Sequence, residues 1–132
     1  MAVTVFRHRW RLTIAIVIFL AAAPLAAEVL KNVLEYPRLR PFTTPGQAPI
    51  SPASWPSGHA TAAAALGLAL TVAVPRALRW CAAAIGALLV AGVSADVVLS
   101  GAHFPSDALG GYLLAGICFC LIMAASTSAP LS

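Results

Sequence analysis

Long apolar runs without charged residues alternate with short polar segments along the chain. The four runs cover residues 12–27, 60–75, 81–95 and 108–125. Each approaches the roughly 17–25 residues that an α-helix needs to cross a bilayer, although three are at or below that lower limit. Helix ends that borrow flanking residues complete the crossings. The pattern therefore predicts an all-α, polytopic membrane helical bundle of about four transmembrane helices, over residues 11–30, 57–75, 80–99 and 104–126.

Composition agrees with a membrane location. Hydrophobic residues make up 61% of the chain, charged residues only 9%, and the mean hydropathy is +0.91. Soluble domains carry about 25% charged residues, so this chain has too few polar side chains to cover a soluble globule. We therefore expect residues 1–132 to form a single membrane domain in contact with membrane lipids.

Basic residues indicate orientation rather than nucleic-acid binding. Although the net charge is +4, five of the eight basic residues flank apolar runs, so no nucleic acid is expected as a partner. Three precede the first run and two lie at residues 76–79, whereas none follows residue 125. The positive-inside rule therefore predicts cytoplasmic termini in a cell (inner) membrane, with residues 31–56 and 101–107 on its periplasmic or exterior side. The five residues are Arg7, Arg9, Arg11, Arg76 and Arg79.

The first apolar run has a second interpretation. An Arg-rich start, an apolar segment and the sequence Leu25-Ala26-Ala27 are also typical of a cleavable signal peptide. We favour an uncleaved first span, because cleavage would separate the polar motifs of the outer side from a helix that anchors them.

The second run is preceded by Pro56-Ser57-Gly58-His59, on the predicted outer side. Ser54 is a candidate helix cap, Pro56 suits a first helical turn, and Gly58 allows an anion to approach the backbone closely. Free N–H groups and the helix dipole at such a helix start attract phosphate. The tetrapeptide alone is equally compatible with an ordinary helix start, in which His59 forms a hydrogen bond at the membrane interface.

A second histidine, His103, is followed four residues later by Asp107. A helix that starts near residue 103, with Pro105 in its first turn, would stack the carboxylate beside the imidazole. The carboxylate would fix the tautomer and raise the basicity of the other ring nitrogen, as a nucleophilic histidine requires. An ordinary interfacial His/Asp pair has the same spacing.

Three basic residues, Lys31, Arg38 and Arg40, fall on the predicted outer side, against the orientation rule. An anionic ligand explains their placement, because lysine and arginine side chains clamp phosphate oxygens. Snorkelling to lipid headgroups is the alternative for each of them.

Together these motifs resemble the type 2 phosphatidic acid phosphatase superfamily. The family pattern is a Lys followed by Arg-Pro, then Pro-Ser-Gly-His, then an Arg with a His and an Asp downstream. The second motif is matched in full by Pro56-Ser57-Gly58-His59, and the third closely by Gly101-Ala102-His103-Phe104-Pro105-Ser106-Asp107. The likeness extends over about residues 30 to 115, and many relatives have six spans rather than the four predicted here.

The first and third motifs depart from the family pattern. Counting the family spacing from Lys31 leads to Arg38, whereas the Arg-Pro pair is Arg40-Pro41, two residues later. Either arginine is therefore a candidate for the first motif. In the third motif, the family Arg corresponds to Val97, which offers no hydrogen bond to a phosphate oxygen. Loss of one such donor costs on the order of 10²–10³ in rate.

The resemblance implies a phosphohistidine mechanism without a metal or other cofactor. In it His103 attacks the phosphoryl group, Asp107 orients His103, and His59 protonates the leaving oxygen and later activates water. Phosphate-binding roles fall on Lys31, on Arg38 or Arg40, and on Ser57 and Gly58. Neither the cysteines nor the histidines have metal-ligand spacing.

We expect an integral membrane phosphatase that hydrolyses a lipid phosphate or a diphosphate such as a polyprenyl diphosphate. The first alternative is a family member that binds anionic lipid headgroups without turnover, for which Val97 and the displaced Arg40-Pro41 pair are the reasons. A vanadate-dependent haloperoxidase is the second, but those enzymes are larger and soluble.

Overall fold

The computed structural model describes residues 2–34, 53–100 and 102–128, and the described part of the chain is built from helices. A short 3-10 turn at Arg76–Leu78 separates the second helix from the third. Three helices are long and apolar enough to cross a membrane. The predicted all-α membrane bundle is thereby confirmed. The helices are α1 at Ala2–Leu34, α2 at Gly58–Ala73, α3 at Arg79–Leu99 and α4 at Pro105–Ser128.

Helix α1 extends further than its apolar run. It continues to Leu34, so that Lys31 lies in its last turn and not in the outer loop, where the sequence interpretation had placed it. Charged residues end the membrane-facing segment but not the helix, because Glu and Lys are good helix formers. The lysine ammonium also complements the negative end of the helix dipole there.

Helix α2 lies at the centre of the described bundle. It packs against α1, α3 and α4, while α1 also packs against α4 and α3 rests mainly on α2. With 16 residues, α2 is about 24 Å long, shorter than the roughly 30 Å hydrocarbon core. The other three helices pack against much of its surface, although the side chain of Leu66 is half exposed. Its buried residues are Ala60, Thr61, Ala63, Ala64, Ala65, Gly67 and Ala69.

Small residues let the helices approach closely, and one aromatic pair fills the space between them. Phe19 is fully buried on α1, where it packs with Ala65 and Ala69 of α2. Its ring meets that of Phe119 edge to face, with centroids 5.4 Å apart, a favoured aromatic geometry. Large side chains such as Leu88 point outward, and in a bilayer that surface contacts acyl chains.

Helices α2 and α3 cross at two glycines. A Cβ placed on Gly86 would lie 2.8 Å from Cα of Gly67, and one placed on Gly67 would lie 3.1 Å from Cα of Gly86. Both approaches are to backbone, so neither neighbour can move aside as a flexible side chain would. The crossing therefore depends on the absence of side chains, as is common between membrane helices.

We expect Gly86→Ala to destabilise the bundle, because the methyl group has to push α3 away from α2. Overpacking of this kind costs about 1–3 kcal/mol. Gly92→Ala is the matched control on the same helix, since a Cβ there meets nothing within 4 Å. Thermal unfolding of both variants in detergent measures the difference, and equal melting temperatures would contradict the described crossing.

Candidate active site

The start of α2 is capped by Ser57. Its Oγ accepts a long hydrogen bond from the N–H of Ala60 at 3.4 Å, and its carbonyl accepts from Oγ1 of Thr61 at 2.8 Å. The prediction of Ser54 as the cap and Pro56 in the first turn is wrong, because the extended backbone of Ser57 delays the helix to Gly58. Ser54 is instead buried, and its Oγ has no hydrogen-bond partner among the described residues.

Backbone donors at this helix start are available to a ligand. The N–H groups of Gly58 and His59 have no acceptor within the described part of the chain. Helices leave such N–H groups unpaired at their first turn, where the dipole is positive. The second motif therefore presents two amides and a positive potential at one point, as a phosphate site requires.

The end of α1 lies directly beside this point. A Cβ placed on Gly58 would lie 3.2 Å from Nζ of Lys31 and 2.7 Å from Oε1 of Glu28. Both contacts are to the ends of flexible side chains, so a Cβ at residue 58 would displace Glu28 and Lys31 without meeting backbone. Gly58 of the second motif therefore lies in contact with the end of α1 that carries Lys31 of the first motif.

Lys31 forms an ion pair with Glu28, one turn earlier on α1. Nζ and Oε1 are 2.6 Å apart, and the lysine side chain is only 10% exposed whereas the glutamate side chain is 58% exposed. The ammonium is thus held in a largely buried place next to Gly58. Glu28 was not among the residues predicted from the sequence, although the three-residue spacing on a helix is a recognisable signal for such a pair.

His103 and Asp107 form the predicted pair, but through a different local structure. Nδ1 of His103 lies 3.3 Å from Oδ2 of Asp107, and both side chains are buried. Helix α4 begins at Pro105, which lies in its first turn as predicted, whereas His103 lies two residues before the helix. The pair therefore spans the turn that precedes the helix rather than stacking along its face.

The same turn holds the carboxylate in place. The N–H of Phe104 donates to Oδ2 of Asp107 at 3.0 Å, while the N–H of Asp107 donates to the carbonyl of Phe104 at 2.9 Å. This exchange resembles a capping box, in which an acidic residue bonds back to the residue before the helix. Asp107 is thus fixed by backbone, and the imidazole of His103 is positioned by Asp107.

Helices α2 and α4 meet at their amino ends. The N–H of Ser57 donates to the carbonyl of Asp107 at 3.0 Å. A Cβ placed on Gly111 would lie 2.8 Å from the Ser57 carbonyl and 2.9 Å from the N–H nitrogen of Thr61. Because these neighbours are backbone, the contact requires glycine. The second and third motifs are therefore joined through main-chain atoms.

Val97 lies next to the catalytic candidates even though it lacks the family guanidinium. Its side chain is buried, and its carbonyl accepts hydrogen bonds from the N–H of His103 at 2.9 Å and from Oγ of Ser100 at 3.3 Å. Residue 97 thus supports the loop of His103 through its backbone. The preceding Asp96 is exposed.

Most of the predicted site residues converge at one end of the bundle. Lys31, Ser57, Gly58, His103 and Asp107 are brought together there by the contacts described above. The remaining candidate on α2, His59, lies in the first turn of the helix with an exposed side chain. It has no hydrogen bond to any residue that the structure describes. Two predicted residues lie outside the described ranges, Arg38 and Arg40.

Two helix amino ends, a buried ammonium and an imidazole–carboxylate pair together favour an anion and provide groups for proton transfer. A model of the PAP2 superfamily matches residues 12–129, which include all of these groups. No curated protein and no solved structure matches the chain.

Proposed function

Because the chain belongs to the PAP2 superfamily, whose members are phosphatases, we propose that it hydrolyses a lipid phosphate or diphosphate through a phosphohistidine. The observation that carries the proposal is the chain of contacts from His103 through Asp107 to Ser57. It joins a positioned imidazole to the anion-attracting start of α2, beside Lys31. In this proposal the nucleophile, His103, lies beside the helix start that binds phosphate.

In the first half of the reaction, Nε2 of His103 attacks phosphorus. Nδ1 faces the carboxylate of Asp107, which stabilises the positive charge that develops on the ring. The N–P bond forms while the P–O bond to the lipid breaks, and His59 gives its proton to the departing oxygen. Lys31, the amide of Gly58 and one of Arg38 and Arg40 hold the phosphoryl oxygens.

In the second half, His59 accepts a proton from water as the water oxygen attacks the phosphohistidine. The N–P bond breaks, inorganic phosphate leaves, and both histidines return to their starting protonation states. The exposed position of His59 suits this role, since water has to reach it.

Release of inorganic phosphate by purified protein tests the proposal. We expect turnover of phosphatidate or of a polyprenyl diphosphate in lipid nanodiscs, and inhibition by vanadate, which mimics the transition state. The second candidate function is headgroup binding without turnover, favoured by Val97 in place of Arg. Saturable lipid binding with no phosphate release from either substrate would support that candidate and refute hydrolysis.

We also propose that the site faces the periplasm or cell exterior, with both termini cytoplasmic, as the distribution of basic residues predicts. A cysteine at Gln47, which lies outside the described residues, should then react with an impermeant thiol reagent in intact cells. A cysteine at Arg76 should not react. Unsubstituted protein is the control, because its three cysteines lie within apolar helices. The opposite labelling pattern would reverse the orientation.

We expect Val97→Arg to raise turnover above that of Val97→Met, by up to about 10²-fold, the scale of one added oxyanion donor. Methionine is the control for overpacking at this buried position. If a loop arginine already supplies the donor, the gain is absent and Arg38→Ala or Arg40→Ala is severe. Phosphate release by all four variants distinguishes the cases. No gain together with mild losses in both loop variants would contradict this account of the third motif.

A further inference from the structure

Glu28 occupies the place beside Gly58 and Lys31 where the ligand is expected. Its Oε1 lies 2.6 Å from Nζ of Lys31 and would lie 2.7 Å from a Cβ on Gly58. A phosphoryl oxygen held by the Lys31 ammonium would need that same neighbourhood. The Glu28 carboxylate is therefore bound to Lys31, the cation that binds phosphate in the proposed reaction.

We propose that Glu28 is a competing carboxylate, which pairs with Lys31 before substrate binds and is displaced by the phosphate of the substrate. The inference rests on the proposed function, because it assumes that the ligand is a phosphate. It makes Glu28 a determinant of how tightly an anion is bound. Glu28 takes no part in the bond-making steps.

The difference in exposure indicates which partner moves. The Lys31 side chain is 10% exposed and that of Glu28 is 58% exposed. A buried ammonium without an anion is costly, so Lys31 requires a partner at all times. The glutamate can rotate into water without that penalty. Exchange of one anion for another at Lys31 therefore keeps the buried charge paired both before and after substrate binding.

Glu28→Gln tests the competition, since the amide retains the size of the side chain and loses its charge. The probe is inorganic phosphate, bound at equilibrium to protein in phosphatidylcholine nanodiscs. We expect phosphate to bind about two- to fivefold more tightly, the effect of removing a competing, partly exposed ion pair. The Michaelis constant for the lipid phosphate should fall by a similar factor.

Asp96→Asn is the matched control. It removes one negative charge from an exposed side chain at the end of α3, where the carboxylate has no ion pair with any described residue. An equal gain in both variants would indicate a general charge effect and would overturn the proposal. A second test combines Glu28→Gln with Lys31→Met. In that background the gain should disappear, because the competition acts through the ammonium.

Unchanged or weaker phosphate binding by Glu28→Gln, or no detectable binding by either protein, would overturn the proposal. Failure of the proposed function gives a different result. If the wild type releases no phosphate from lipid but Glu28→Gln still binds phosphate more tightly, competition is upheld and hydrolysis is refuted. If lipid phosphate is hydrolysed but the substitution has no effect on phosphate binding, hydrolysis is upheld and competition is refuted.

Discussion

Replacing His103 with alanine is expected to lower phosphate release by at least about 10³-fold, because the reaction loses its nucleophile and retains only binding and orientation. Asp107→Asn should be less severe, on the order of 10²-fold, since the imidazole remains but its charged partner is lost. Both residues are buried, so folding has to be verified by gel filtration and circular dichroism. Initial rates on one lipid phosphate give the comparison.

The relative size of the activity losses in His103→Ala and Asp107→Asn distinguishes a catalytic role of His103 from a structural one. If His103 only supported the fold, its substitution would lower stability and activity together, and Asp107→Asn would be comparably damaging. Full activity in a folded His103→Ala protein would contradict the nucleophile assignment. A larger loss of activity in Asp107→Asn than in His103→Ala would also contradict that assignment.

Gly111→Ala is expected to be about as damaging as Asp107→Asn, although residue 111 touches no reacting atom. The added methyl group would lie 2.8 Å from the Ser57 carbonyl and 2.9 Å from the Thr61 amide nitrogen. Relief of that clash has to separate α2 from α4 and break the hydrogen bond from Ser57 to Asp107. We expect activity to fall by about 10²-fold, since small displacements at a reaction centre have effects of this size.

Gly116→Ala is the control for this substitution on the same helix. A Cβ there meets nothing within 4 Å, and alanine is favoured over glycine in a helix interior by up to about 1 kcal/mol. Gly116→Ala should therefore keep full activity and equal or exceed the wild type in thermal stability. Similar activities in the two variants would show that the contact between α2 and α4 does not position the site.

The helices were predictable because lipid imposes a simple composition on them, but their ends were not. The apolar run of α1 ends at residue 27, whereas the helix continues to Leu34. Glu28 and Lys31 interrupt the hydrophobic pattern without interrupting the backbone hydrogen bonds. Hydropathy therefore located the apolar segment, while helix propensity and an ion pair within one turn favour the continuation of the helix beyond it.

The candidate site was predictable where the residues lie close in sequence. His103 and Asp107 were expected to pair, and they do, yet spacing alone could not distinguish a helical face from the turn before a helix. Glu28 was missed for a different reason. Its significance comes from its contact with Gly58, which is distant in the sequence and becomes adjacent only when α1 packs against α2.

Trapping the covalent intermediate tests the central claim most directly. Protein incubated with lipid carrying radioactive phosphate is quenched in base, because phosphohistidine is stable in base and labile in acid. The mechanism predicts base-stable, acid-labile label on the peptide that contains His103, and none on His103→Ala. Hydrolysis of the lipid by wild-type protein without label on His103, or with label retained in His103→Ala, would contradict the account.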